Sequence, residues 1–168
     1  MERHGAVAAL LRPLSSAACQ AYFCDSLQLA DIIEWVVMQC GVSTLSVSSF
    51  SAGEEFLRRL WRLRDSGMVD GCTLILDARA MKKTGLLSAF LAEVTDRVYV
   101  ARNHSKVVLV EGSLMSAAIV TSQNLTRGNR TEAGMVISDH DAVNGIRRGM
   151  TELINKSTLI NGTNSGTD

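Results

Sequence analysis

The chain has 168 residues, of which 46% are hydrophobic and 20% are charged, and its formal net charge is zero. This length and composition indicate a globular domain with a sizeable core and exclude an intrinsically disordered chain. Because the whole molecule supplies no attractive field, any contact with nucleic acid or acidic lipid must come from a local basic patch.

Metal, membrane and export signals are weak in this sequence. The four cysteines show no paired C-x-x-C spacing, so we expect no metal site and no cofactor. No apolar run is long enough to span a bilayer, so we expect no membrane span. Arg12 and Pro13 interrupt the apolar start of the chain, which favours a cytoplasmic protein over a secreted or periplasmic one.

Hydrophobic periodicity predicts alternating helices and strands in the first half of the chain. Ser26 is a candidate cap for a helix that ends at Gly41. The elements predicted after it are a strand over 44–51, a helix over 53–64, an apolar strand over 72–78 and a helix over 86–94. In the 53–64 helix, Glu55 and Arg59 are spaced as an i,i+4 pair on a solvated face.

The second half reads as a run of strands and a closing helix. The predicted strands cover 97–101, 105–112, 116–124 and 132–138, and the helix covers 143–154. From the 44–51 strand onward, the order β-α-β-α-β-β-β-β-α predicts one mixed sheet flanked by helices, an α/β sandwich. We place the domain at 26–155, between an N-terminal segment, 1–25, and a flexible tail, 156–168.

Four polar residues are spaced so that they can meet at one end of a strand pair. His104 and Lys106 share a face if the strand has already begun there, and Ser122 and Asn124 share a face at the end of the following strand. An imidazole, an ammonium, a hydroxyl and a carboxamide together suit a phosphate group. The alternatives are a surface histidine and ordinary hydrogen bonding at strand ends.

His104-x-Lys106, four residues and then Glu111, followed by Ser122-x-Asn124 and Glu132, resembles the signature of the phospholipase D superfamily. That signature is His-x-Lys, four residues, Asp, and a downstream Gly-Ser-x-Asn. The most similar members are small nucleases with one copy of the motif. The chain departs from the signature at Glu111, where Asp is usual, and at Thr121, where Gly is usual. We expect activity to survive both changes, since Glu111 fills a mainly structural position.

The resemblance implies metal-independent chemistry through a phosphohistidine intermediate. His104 would act as nucleophile in one chain and as general acid in the other, so the resemblance implies a homodimer with a shared active site. Lys106 and Asn124 would hold the phosphate oxygens with support from Ser122, and Glu132 would orient an imidazole. A bell-shaped pH profile belonging to the coupled pair of histidines is expected.

The favoured function is a nuclease that hydrolyses nucleic-acid phosphodiester bonds. Arg127 and Arg130 beside the site, with Lys82 and Lys83 after the second strand, are candidate substrate-binding residues. For these arginines, simple loop solubility is the alternative. A catalytically silent dimeric nucleic-acid-binding module is the second hypothesis. A phospholipid hydrolase is the third, disfavoured because no interfacial amphipathic helix is evident.

Overall fold

The computed structural model describes residues 2–81, 85–128 and 130–162, which form one mixed sheet with helices on both faces. This confirms the predicted α/β architecture. The helices are α1 (Glu2–Leu10), α2 (Leu29–Cys40), α3 (Glu54–Asp65), α4 (Ser88–Val94) and α5 (His140–Asn155). The strands are β1 (Cys19–Cys24), β2 (Ser43–Ser49), β3 (Val69–Asp77), β4 (Arg97–Ala101), β5 (Val107–Gly112), β6 (Ser116–Thr121), β7 (Glu132–Ile137) and β8 (Thr158–Asn161).

The eight strands lie in the order β1-β7-β6-β5-β2-β3-β4-β8. β2, β3 and β4 are mutually parallel, and every other neighbouring pair is antiparallel. The apolar run of β3 lies near the centre, where Leu74, Ile75 and Leu76 are each 0% exposed. A central strand covered on both faces needs such a run, because neither face can carry polar residues.

Helices cover the two faces of the sheet unequally. α1, α2, α3 and α4 contribute to the main core on one face, through residues such as Ile32, Leu57 and Leu91. α5 covers part of the other face, where Met150 packs with Ile75 and Tyr99. Each fully buried side chain of this size contributes about 1.5–3 kcal/mol through its removal from water.

Both edges of the sheet come from segments placed outside the predicted domain. β1 pairs with β7, and β8 pairs with β4. Exposure alternates along both edge strands, but it does not follow hydropathy: Gln20 is buried, whereas Phe23 and Ile160 are exposed, so the sequence does not show the alternation. The stretch before residue 26 therefore adds a helix and a strand, and the stretch after 155 adds a strand.

Two details at the start of α2 differ from the sequence prediction. The helix begins after Gln28 and not after Ser26, because the Gln28 backbone N–H donates to Asp31 Oδ2 at 2.9 Å. Arg59 is buried and not solvated: it forms ion pairs with Asp31 at 2.7 Å and with Glu34 at 2.6 Å. This buried network joins α3 to the first turns of α2.

Within the described part of the chain, none of the helices combines the length and apolarity that crossing a bilayer requires.

Candidate active site

The edge of the sheet that is formed by one end of its strands, and not by an outer strand, brings together the chain segments that carry most of the predicted functional residues. β2, β3 and β4 end there, and β5 begins there because it runs antiparallel to β2. β6 returns to the same edge and β7 starts from it. The connections 102–106 and 122–131 therefore meet at this edge, which we call the site edge.

His104 and Lys106 lie in the connection between β4 and β5. His104 is exposed, and Lys106 Nζ donates a 3.0 Å hydrogen bond to the His104 carbonyl. β5 begins only at Val107, so the same-face rule for strand residues does not apply to this pair. The Thr121 N–H nevertheless donates to the Lys106 carbonyl at 3.0 Å, which extends the pairing of β5 with β6 and places Lys106 beside the end of β6.

Asn103 anchors this connection, although no pattern in the sequence marks it. The residue is 6% exposed, and its backbone N–H donates to Asp77 Oδ2 at 2.9 Å. Its Nδ2 donates to Ser48 Oγ at 2.8 Å, and its Oδ1 accepts from the N–H and hydroxyl of Ser105 at 3.0 and 2.6 Å. Buried groups bonded this completely fix the backbone on either side of His104.

A second missed group lies against the imidazole. The rings of Phe50 and His104 have centroids 5.8 Å apart with planes tilted by 60°. The Arg79 guanidinium carbon lies 5.5 Å from the centroid of the same phenyl ring, a cation–π contact. Arg79 Nε donates to Asp77 Oδ1 at 2.9 Å, and Asp77 is 1% exposed. Side-chain hydrogen bonds from Arg79 outweigh desolvation and lower the pKa of Asp77 to about 2.

Ser122 and Glu132 contact each other across the ends of β6 and β7. The Ser122 hydroxyl donates to Glu132 Oε2 and accepts from the Ala133 N–H at 3.1 Å. Among the described residues, Ser122 is thus the hydrogen-bond partner recorded for the Glu132 carboxylate, and not the chain's own His104. The role of Glu132 in orienting an imidazole stays a prediction.

The next two residues carry buried acceptors without a partner. Gln123 Oε1 and Asn124 Oδ1 are both buried and accept no hydrogen bond from the described residues. An unpaired buried acceptor costs about 1–3 kcal/mol unless a water, an ion or a ligand supplies the donor. The neighbouring backbone is held by Gln28, whose side-chain amide exchanges two hydrogen bonds with Gly128 at 2.9 and 3.3 Å.

The predicted substrate-binding arginines lie in the same connection. Arg127 and Arg130 are exposed, and both line a pocket with an empty volume of about 400 Å³ that Asn124 and Glu132 also line. Arg127 Nη1 lies 3.8 Å from Glu55 Oε2, a loose surface ion pair. Lys82 and Lys83 lie outside the described residues.

Both departures from the superfamily signature are accommodated locally. Thr121 ends β6 without positive φ, so no glycine is required there, and its hydroxyl bonds Tyr22 Oη at 2.7 Å. The pKa of Tyr22 is raised to about 12, chiefly by burial. Glu111 lies near the far end of β5 and pairs with Arg147 of α5 at 2.6 Å, away from the site edge. The structural role of Glu111 stays a prediction.

An exposed apolar face adjoins the site edge. Phe23, Met135 and Val120 are 77%, 40% and 38% exposed. Strand register puts them on one face of β1, β7 and β6, the same face that α5 covers further along. We call these three residues the apolar face. In the described part of the chain, no group of three His, Cys, Asp or Glu side chains is placed to hold a metal ion.

No protein-family model matches this sequence, and no curated protein is recognisably similar to it in sequence.

Solved structures do resemble it. Nuc from Salmonella typhimurium, described as a phospholipase D family member, superposes with a TM-score of 0.64 at 15% identity over 86% of this chain and 98% of Nuc. NucT from Helicobacter pylori gives 0.62 at 11% identity over 84% and 99%. TrmBL2, described as an archaeal chromatin protein with a novel mode of DNA binding, gives 0.57 at 11% identity over 95% and 60%. The chain therefore has the fold of the phospholipase D superfamily.

Proposed function

We propose that this protein is a metal-independent phosphodiesterase that hydrolyses nucleic-acid phosphodiester bonds as a homodimer. The supporting observation is the site edge, where His104 is exposed on a connection fixed by buried hydrogen bonds, and Lys106 lies beside the end of β6. The fold shared with Nuc and NucT makes phosphodiester chemistry the first expectation for such an edge. Two exposed arginines beside Asn124 suit further backbone phosphates.

The chemistry requires two imidazoles. The neutral imidazole of His104 in one copy attacks phosphorus and forms a P–N bond, while the P–O bond to the leaving group breaks. The leaving oxygen takes its proton from the protonated His104 of the second copy. Water then attacks phosphorus, gives a proton to that second imidazole, and the P–N bond breaks. Lys106 and Asn124 stabilise the charge that develops on the phosphate oxygens.

The second imidazole has to come from a second copy of the chain. His140 begins α5 after the end of β7, at the sheet edge opposite the site edge, and the side chain of His4 lies outside the described ones. The apolar face borders the site edge, and we assign the second copy to it. A two-fold contact there brings two site edges together.

The test is cleavage of plasmid DNA in the presence of EDTA by the wild type and His104→Asn, with His140→Asn as the matched control. We expect EDTA-resistant cleavage by the wild type and by the control, and a loss of at least about a thousandfold in His104→Asn. Cleavage that survives in His104→Asn, or that EDTA abolishes, contradicts the proposal.

The dimer is tested with Met135→Glu, which puts a charge on the apolar face. We expect a shift from dimer to monomer in sedimentation velocity, with loss of cleavage and an unchanged circular dichroism spectrum. A wild type that is monomeric while it cleaves DNA would contradict the shared site.

A second candidate is a catalytically silent nucleic-acid-binding module with the same fold. It is favoured by the likeness to TrmBL2, which is described as a chromatin protein with a novel mode of DNA binding. Equal DNA binding by the wild type and His104→Asn, with turnover in neither, would support this alternative.

A further inference from the structure

Arg79 is a cation at the site edge that neither the signature nor the predicted arginines account for. It follows the end of β3, whereas Arg127 and Arg130 lie between β6 and β7. In the strand order they are therefore on opposite sides of β2, which is followed by Phe50, the ring that contacts His104. Its side chain is 74% exposed, although two of its nitrogens face Asp77 at 2.9 and 3.4 Å. The guanidinium is thus held by Asp77 on one side and exposed to solvent on the other.

Phe50 fixes the position of this cation relative to the catalytic imidazole. Its ring centre lies 5.8 Å from the His104 ring and 5.5 Å from the Arg79 guanidinium carbon. Ring and carboxylate together hold the guanidinium before a ligand arrives, so less side-chain freedom is lost on binding.

We propose that Arg79 binds the phosphate next to the scissile one, and that this contact makes the site selective for polynucleotides over esters with a single phosphate. The inference rests on the proposed function and adds a substrate class to it. Arg79 lies on one side of His104, and the arginines of 122–131 lie on the other. A nucleic-acid strand would therefore meet a cationic contact on each side of the reacting phosphorus.

The competing explanation is that Arg79 only neutralises Asp77. Asp77 already accepts hydrogen bonds from the backbone N–H groups of Arg79 and Asn103. Both donors remain when the guanidinium is removed. The 74% exposure of the side chain is also not needed for neutralisation.

The first measurement is equilibrium binding of a fluorescein-labelled oligothymidylate over a series of salt concentrations, by anisotropy. We expect Arg79→Gln to lower the slope of log K against log salt by about 0.7, which is one phosphate contact on a single strand. Arg79→Lys should keep the slope. The control is Arg12→Gln, an exposed arginine whose backbone bonds Gln20 near the start of β1, at the opposite edge of the sheet.

The second measurement is the ratio of kcat/KM for oligothymidylate to kcat/KM for thymidine 5′-(p-nitrophenyl phosphate), which carries one phosphate. We expect the ratio to fall about tenfold in Arg79→Gln, as for one charge-assisted hydrogen bond, and to stay constant in Arg12→Gln. An equal loss on both substrates, or no change in salt slope, overturns the inference and leaves the proposed function intact. If the wild type cleaves neither substrate, the proposed function fails, and the salt slope alone decides the role of Arg79.

Discussion

The two connections at the site edge are held in opposite ways. In 102–106, both side-chain polar groups of Asn103 and its backbone N–H are hydrogen-bonded inside the protein. In 122–131, Gln123 Oε1 and Asn124 Oδ1 are buried without a partner, and both arginines are exposed. The fold alone thus fixes the backbone beside His104, whereas the second connection carries two buried acceptors that no described residue satisfies.

The largest effect that this contrast predicts is on activity, from Asn124→Ala. We expect kcat/KM for DNA cleavage to fall by about a hundredfold or more, since one donor to a developing oxyanion is lost. The free energy of unfolding should change by less than about 0.5 kcal/mol or rise slightly, because an unpaired buried acceptor is removed. Urea denaturation measures the free energy of unfolding, and initial rates measure kcat/KM. A clear loss of stability in Asn124→Ala would contradict the difference between the two connections.

Asn103→Ala should have its main effect on stability. The substitution removes the acceptor of the Ser105 N–H and the donor to Ser48 Oγ, and leaves the two serine hydroxyls bonded only to each other. We therefore expect a loss of about 2–3 kcal/mol in the free energy of unfolding. The measurement is the same urea titration, run beside Asn124→Ala. A loss as small as that of Asn124→Ala would show that the two connections are held alike.

The smallest effect concerns acid pH. The pKa of Asp77 is lowered to about 2, so its ionised form favours the folded state. This contribution is complete above the ordinary value of 3.8 and is lost as the pH falls from there toward 2. Asp96 adds a loss of the same sign, because a hydrogen bond from Arg64 lowers its pKa. Thermal unfolding of Asp77→Asn should depend less on pH between these limits than the wild type; parallel curves would exclude Asp77 as a cause.

The central strands and the motif could be predicted from the sequence because their signals are local. β3 is a continuous apolar run, and His104, Lys106, Ser122, Asn124 and Glu132 are recognised by their spacing. Asn103, Asp77, Arg79 and Phe50 could not be predicted, because they lie at the ends of three different strands and meet only after β2, β3 and β4 pair. The edge strands β1 and β8 were missed because exposure along them does not follow hydropathy: Gln20 is buried, whereas Phe23 and Ile160 are exposed. The sequence shows Thr121 only as a departure from the signature, because its hydrogen bond to Tyr22 forms between residues far apart in the chain.

The burial of Asn103 has a consequence for how the protein is produced. Asn103, His104 and Ser105 spell an N-glycosylation acceptor, yet the amide is 6% exposed and bonded on both of its heavy atoms. An oligosaccharide added during synthesis in a eukaryotic secretory pathway would occupy the space that Ser48 and Ser105 fill. Expression in the bacterial cytosol avoids the modification and should give correctly folded protein, whereas modification of Asn103 during secretion from yeast should impair folding; replacing Ser105 removes this acceptor.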